Sequence, residues 1–183
     1  MKHITVSGNH SECGFKLGKI MAKHIKERMH TFKINANTIK RHKGSLIKID
    51  AVCRKTHPQF IEEIEGMAAG SGADYWGLLM LNTSEIVACE RCSSIAVAPS
   101  VTDVGPIIAH NEDGEHDKKE WCAIVTFKMP HISFSSFVYA GEMPGSGFAW
   151  NSHGLYFTVD YVVPKHVPTF GVPRTFIARG VLE

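Results

Sequence analysis

Cys92-Ser93-Ser94-Ile95-Ala96-Val97-Ala98 marks the point at which the chain changes character. Upstream of it, apolar residues recur at helical spacing. Downstream, short runs rich in β-branched and aromatic residues are divided by Gly, Pro, Asn and Asp. Ser93–Ala98 reads as a small β-branched strand, Val101-Thr102-Asp103-Val104-Gly105 as a turn, and Pro106–His110 as the returning strand of a hairpin. A run of helices followed by a run of antiparallel strands predicts an α+β fold.

In the upstream half, Lys2–Ser7 alternates as a short strand does. Ser11 is a fitting N-cap for a helix carrying Phe15, Leu17, Ile20, Met21 and Ile25. A second helical stretch covers Thr31 to Arg41; Gly44-Ser45 is expected to break it and Leu46–Lys55 to resume it. His57-Pro58 opens the clearest helix, with Pro58 at its first position and Phe60, Ile61, Ile64, Met67 and Ala68 on one face. Gly70-Ser71-Gly72 ends it, and Asp74 caps a short helix holding Trp76, Leu78, Leu79 and Leu81. In the downstream half, Cys122–Phe127, Ile132–Ala140, Phe148–Asn151 and Leu155–Val159 are strand candidates. Asn151-Ser152-His153-Gly154 is a turn, and a helix follows Gly171-Val172-Pro173.

The 183 residues are 44% hydrophobic and 21% charged, with a formal net charge of +2, which excludes collagen, coiled coil and wholesale disorder. The length suits one domain with a sizeable core. There are no internal repeats. No apolar run reaches membrane-spanning length, so no membrane partner is expected, and Met1–Val6 lacks the apolar stretch of a signal peptide. Five cysteines at irregular spacing argue against a disulfide scaffold and for reduced thiols in a cytoplasmic setting. Charge is uneven: residues 1–57 carry 13 Lys/Arg against 3 Asp/Glu, and residues 58–120 carry 3 against 12. Such a basic segment can bind an anionic ligand, but its lysines and arginines are scattered through helical patterns. Pairing with the acidic segment, with the remainder solvated, is therefore expected, and nucleic-acid binding is not.

Three groups of residues could carry chemistry. Cys89-Glu90-Arg91-Cys92 is a C-x-x-C, but it lies between a helix and a strand instead of opening a helix, and no second pair completes a zinc site. No metal or cofactor is expected. Cys92 itself sits at the junction of the two halves. A cysteine nucleophile needs a base, and a cysteine at a chain N-terminus carries one in its α-amine, whose ordinary pKa is about 7.7–8.0. Cleavage before Cys92 would leave segments 1–91 and 92–183. The third group is His110-Asn111-Glu112-Asp113-Gly114-Glu115-His116, at the end of the strand paired with the Cys92 strand. Asn111 and Asp113 share a strand face that could meet Cys92. There an Asp could hold a terminal ammonium and an Asn could donate to an oxyanion. An acidic, solvated turn or an oxygen-lined cation site is the alternative. Trp121, Trp150, Tyr156 and Phe157 are candidates for an acyl pocket or for the core.

The order of motifs resembles the acyl-coenzyme A:isopenicillin N acyltransferase family of self-processing N-terminal-nucleophile (Ntn) hydrolases, related to choloylglycine hydrolases and penicillin V acylases. The residues that carry the resemblance are Gly8 with Gly14-Phe15-Lys16-Leu17-Gly18, His57-Pro58, Glu62 through Gly70, Leu79-Met80-Leu81-Asn82 with Glu85, Cys92-Ser93-Ser94, His110-Asn111-Glu112-Asp113, Asn151-Ser152-His153-Gly154-Leu155, and Gly171-Val172-Pro173 with Arg179. The resemblance implies an αββα Ntn sandwich and autocatalytic cleavage between Arg91 and Cys92. It also implies that the freed Cys92 attacks a small linear amide or acyl-thioester, coenzyme A thioesters included, through an acyl-enzyme. Segment 1–91 becomes the α chain and 92–183 the β chain; the two stay together, in an arrangement compatible with a homo-oligomer.

Three positions depart from the pattern. Arg91 precedes the cleaved bond where Gly is frequent, His110 stands where Arg is common, and Asp160 occupies the place of an oxyanion-hole Asn. An ionised Asp cannot donate a hydrogen bond, which leaves that role to a protonated side chain or to the backbone N–H. Members of the family also run on past the position of Glu183, so the chain is expected to be the front part of a longer one. The competing expectation is a truncated or non-catalytic relative acting as a binding module.

Overall fold

The computed structural model describes residues 1–83, 92–112, 119–160, 162, 165 and 170–183. Within them the fold is α+β, as the change of texture predicts. Strand β1 (Lys2–Ser7) leads into helices α1 (His10–Thr31), α2 (Ala36–Thr56), α3 (Pro58–Ser71) and α4 (Tyr75–Leu81). Strands β2 (Cys92–Val97), β3 (Ile107–Glu112), β4 (Cys122–Lys128), β5 (Ser133–Tyr139), β6 (Ala149–Asn151) and β7 (Tyr156–Phe157) follow, then helix α5 (Arg174–Leu182).

Two helix boundaries differ from the sequence expectation. The N-cap of α1 is Asn9, not Ser11. Asn9 and Glu12 form a reciprocal capping box, with the Asn9 side chain accepting from the Glu12 N–H and the Glu12 carboxylate accepting from the Asn9 N–H, and this satisfies two backbone donors at once. Likewise, α2 runs unbroken through Gly44-Ser45. A helical glycine costs about 1 kcal/mol relative to alanine, and burial of Leu46, Ile49 and Cys53 on the same helix outweighs it. The break lies earlier, between Thr31 and Ala36, where Lys33 adopts a positive φ and Asn35 caps the new helix.

Helices α1 and α3 pack with their backbones in contact. A Cβ on Gly14 would collide with the carbonyl oxygen of Glu63, and one on Gly18 with that of Met67. Reciprocally, Gly66 lies against the Ser11 carbonyl and Gly70 against that of Phe15. Each glycine is one helical turn from its partner on the same helix, so two G-x-x-x-G faces meet along a seam that admits no side chain.

The main sheet has the order β1-β4-β5-β6-β7; β1 is parallel to β4, and all other neighbours are antiparallel. Strand alternation gives it two apolar faces. Ala123, Val125, Phe127, Phe134 and Val138 join the core under the helices. Cys122, Ile124, Phe137 and Tyr139 form a second cluster on the opposite face, with Phe148 and Trp150 packed against it. Strands β2 and β3 make a separate two-stranded ladder.

Buried polar residues tie the layers together, and several belong to the motif series quoted above. Arg179 of α5 is fully buried, with its guanidinium 3.1 Å from Glu63 of α3 and 4.2 Å above the Phe134 ring. Glu63 also faces His10 at 3.0 Å. Asn82 donates to the carbonyls of Leu78 and Gly141 and accepts from the Met143 N–H, while its own carbonyl accepts from Thr175. Arg54 and His10 of the basic segment pair with Glu65 and Glu63 of the acidic one, whereas Arg54 also pairs with Asp50 of its own segment and Arg28 with Glu142 beyond both. No helix among the described residues is long and apolar enough to cross a membrane.

These contacts give two expectations. Gly66→Ala should lower stability by about 3 kcal/mol or more, because the added methyl meets backbone that cannot yield. Gly44→Ala, which points into open space, should raise it by about 1 kcal/mol. Urea midpoints of the two variants test the seam, and equal effects would refute it. The second expectation concerns acid. Burial pushes the Glu63 carboxyl up, but Arg179 and His10 together outweigh it and hold the group below its ordinary value of 4.5. A depressed carboxylate stabilises the fold above that value, and the contribution disappears as pH falls through the folded-state value. Urea midpoints should therefore fall below about pH 4.5, and Glu63→Gln should flatten this acid limb while costing about 3 kcal/mol at neutral pH.

Candidate active site

The β2–β3 ladder decides which residues meet Cys92. Its register pairs Cys92 with Glu112, Ser93 with Asn111 and Ser94 with His110. Directly opposed residues share a face, so Cys92, Ser94, His110 and Glu112 stand together and Asn111 stands on the other side with Ser93. The sequence reading placed the Asn111 and Asp113 face toward Cys92. The register corrects this for Asn111; Asp113 and Arg91 lie outside the described residues, as do Cys89 and His116. Counting across the turn finds the right partner: a hairpin pairing Ala98 with Pro106 carries Cys92 to Glu112.

His110 is held at both ring nitrogens. Nε2 lies 2.9 Å from Glu112 Oε1, and the other oxygen of Glu112 accepts from the Tyr139 hydroxyl at 2.9 Å. Tyr139 comes from the second face of the main sheet, so this bond ties the hairpin to that face. Gly147 makes room for the carboxylate, since a Cβ there would sit 3.0 Å from Oε1. Glu112 thereby assigns the proton to Nε2 and leaves Nδ1 as the basic nitrogen. The His110 side chain is 1% exposed.

Around Nδ1 lie three further groups. Ser94 Oγ is 2.9 Å from Nδ1 and 3.0 Å from Asp160 Oδ1, and Thr158 Oγ1 donates to it at 2.8 Å. Asp160 Oδ1 is 3.7 Å from Nδ1. The Cys92 sulfur, a His110 ring nitrogen and an Asp160 oxygen all lie within 4.8 Å of one another. By turning its single hydroxyl proton, Ser94 serves either state of the ring: it donates to neutral Nδ1, or donates to Asp160 and accepts from Nδ1–H. A half-buried thiol thus sits beside an oriented imidazole backed by a carboxylate. That arrangement can move a proton from sulfur to nitrogen.

Of the residues singled out from the sequence, Cys92, His110 and Asp160 converge, and Asn111 does not join them. Glu112 and Ser94 stand in the quoted motifs but were given no role, and Tyr139 and Thr158 lie outside them. Of the aromatics, Trp121 is buried in the helix-side core and Phe157 packs against that core, Trp150 belongs to the second cluster, and Tyr156 is exposed. None of the four described cysteines is in a disulfide.

Residues 101–183 match the family model described as acyl-coenzyme A:6-aminopenicillanic acid acyl-transferase. Along 204 aligned residues, covering 96% of the chain, it is 25% identical to the beta-alanyl-dopamine/carcinine hydrolase of Drosophila melanogaster. The chain spans about half (52%) of the length of that curated relative.

The thiols differ in reactivity for a physical reason. Burial, reinforced by Glu63, pushes Cys13 up to about 11, and burial, reinforced by Asp50, pushes Cys53 up to about 12. Both are therefore protonated and inert at neutral pH. Iodoacetamide at limiting concentration should alkylate Cys92 well before Cys13 or Cys53, as peptide mapping by mass spectrometry would read. The reverse order would remove Cys92 as the reactive thiol.

Proposed function

We propose that this chain, similar over residues 101–183 to the acyl-coenzyme A:6-aminopenicillanic acid acyl-transferase family, is a cysteine Ntn hydrolase or acyltransferase acting on a small linear amide or thioester through an acyl-enzyme at Cys92. The observation that carries the reading is the convergence of Cys92, His110 and Glu112 on one face of the hairpin. The name of the matched relative, a hydrolase of beta-alanyl-dopamine and carcinine, supports a small acylated amine as the substrate class.

The proposed architecture is the αββα sandwich, with the helices and the main sheet as two layers and the β2–β3 hairpin belonging to the facing sheet. Segment 1–91 is the α chain and 92–183 the β chain. Before cleavage Cys92 has no free amine, so the first base is His110. Its Nδ1 takes the thiol proton, and the sulfur attacks the Arg91 carbonyl carbon. A C–S bond forms, the C–N bond to Cys92 breaks, and the nitrogen takes the proton back as an amine. Water then hydrolyses the thioester, which leaves a carboxylate on Arg91 and a free thiol on Cys92.

In turnover the new α-amine lies next to its own sulfur and takes over as base. The thiolate attacks the substrate carbonyl, the leaving amine or thiol departs with the proton, and water or an acceptor amine releases the acyl group. Asp160 sits where it can hold the terminal ammonium, because its oxygen is within 4.8 Å of the sulfur. The oxyanion then depends on backbone N–H groups, since an ionised carboxylate donates nothing. Asp113 remains a proposed second anchor for the ammonium.

A mass spectrum of the purified chain is the direct test. Two fragments, each about half of 20.2 kDa, with Cys92 as a new N-terminus, are expected. Cys92→Ala should abolish the cleavage, and His110→Ala should slow it at least about 100-fold. Cleavage that persists in Cys92→Ala would assign it to an outside protease and overturn the mechanism.

A further inference from the structure

The residues that activate the thiol have a second property. Cys92, His110 and Asp160 offer one sulfur, one nitrogen and one oxygen within 4.8 Å of one another, from three separate parts of the chain: the start of β2, strand β3, and the segment after β7. We propose that this trio is a binding site for a zinc-class divalent cation, which occupies the thiolate and holds the protein in an inactive, protected state. The proposal uses the same sulfur as the amide-cleaving reading, goes beyond it, and does not depend on cleavage having occurred.

Four observations carry it. First, the spacing fits. Zinc–ligand bonds of about 2.0–2.3 Å in a tetrahedral field place donors about 3–4 Å apart, so closure on a cation draws the three donors slightly together and turns the Ser94 hydroxyl, 2.9 Å from Nδ1, off that nitrogen. Second, the donor set discriminates. Thiolate and imidazole with a single carboxylate suit zinc and its neighbours, whereas magnesium and calcium demand oxygen-rich shells. Third, the outer shell is already in place. His110 gives Nε2 to Glu112, which is fixed in turn by Tyr139; a carboxylate of this kind orients a metal-bound histidine and raises its basicity. Asp160 is likewise steadied by Ser94, which Thr158 holds. Fourth, the site is open on one side. The Asp160 side chain is 43% exposed while that of His110 is 1% exposed, so a cation held by three protein donors keeps a fourth position for water.

The binding step balances simply. The thiol loses its proton to solvent as the cation takes the sulfur, and nothing is oxidised or reduced. With its sulfur engaged, Cys92 can neither attack a carbonyl nor be alkylated, and removal of the cation restores both.

The test uses the purified protein, cleaved or uncleaved, freed of metal by a chelator. Titration with Zn²⁺ should show one equivalent bound, and Co²⁺ should produce the near-ultraviolet thiolate-to-cobalt charge-transfer band that histidine-only sites lack. Cys92→Ser should lose the band. His110→Ala, Asp160→Asn and Glu112→Gln should each weaken binding about tenfold or more. One equivalent of Zn²⁺ should slow iodoacetamide labelling of Cys92 in the unmodified chain about tenfold or more, a readout that requires no variant to fold. A chain whose Cys92 alkylates at the same rate with and without Zn²⁺, or whose cobalt band survives Cys92→Ser, overturns the proposal. Zinc binding in a chain that never cleaves or turns over would refute the amidase reading alone; cleavage without zinc protection would refute the metal site alone.

Discussion

The backbone contact between α1 and α3 is the constraint on which the rest of the structure depends. Gly14, Gly18, Gly66 and Gly70 let two helices approach until carbonyl oxygens of one face the bare α-carbons of the other. Contacts of this kind contribute weak Cα–H···O interactions, but their larger effect is geometric. The seam sets the height and rotation of α3, and with it the direction of Glu63, whose carbonyl lies against Gly14 and whose carboxylate points into the core toward Arg179 and His10. Such a buried charge persists only with its partners in place. The seam therefore also determines where α5 can dock.

A second line of contacts runs from this helical layer to the site. Arg28, on α1, pairs with Glu142 and lies 4.9 Å from the Tyr139 ring. Tyr139 donates to Glu112, and Glu112 holds His110. The imidazole beside Cys92 is thus positioned through buried side chains that reach back to α1. The hairpin itself is otherwise exposed: Ile95 is 62% and Ile108 45% accessible. Its placement rests on a few directed bonds more than on apolar packing, and those bonds run through the residues that share a face with Cys92.

The convergence of sulfur, imidazole and carboxylate supports both proposals because nucleophilic catalysis and metal ligation ask for the same preparation. Both need a deprotonated sulfur, a ring nitrogen with its lone pair free, and a carboxylate that fixes the ring's tautomer. The difference lies in what occupies the space between them, a carbonyl carbon or a cation.

Much of this was legible in the residues. The helices announce themselves by apolar periodicity, Pro58 and the Asp74 cap. The hairpin is announced by its turn, and the junction at Cys92 by the change from one periodicity to the other. Several motif residues, Asn82, Arg179 and Glu63 among them, are buried clamps whose role no spacing reveals, because their partners lie as much as 116 residues away. Local signals misplaced the α1 cap and broke α2 at Gly44, since propensity is weak against burial of a whole helix face. The site shows the same division. Cys92 and His110 could be picked from the chain, but a one-residue difference in pairing decides whether Asn111 or Glu112 faces the thiol. Sequence alone determined the elements, their order and the nucleophile candidate, because these follow from short-range patterns. The tertiary structure decided the register, the glycine seam and the carboxylate partners, because side chains distant along the chain acquire a common face only when strands pair and helices touch.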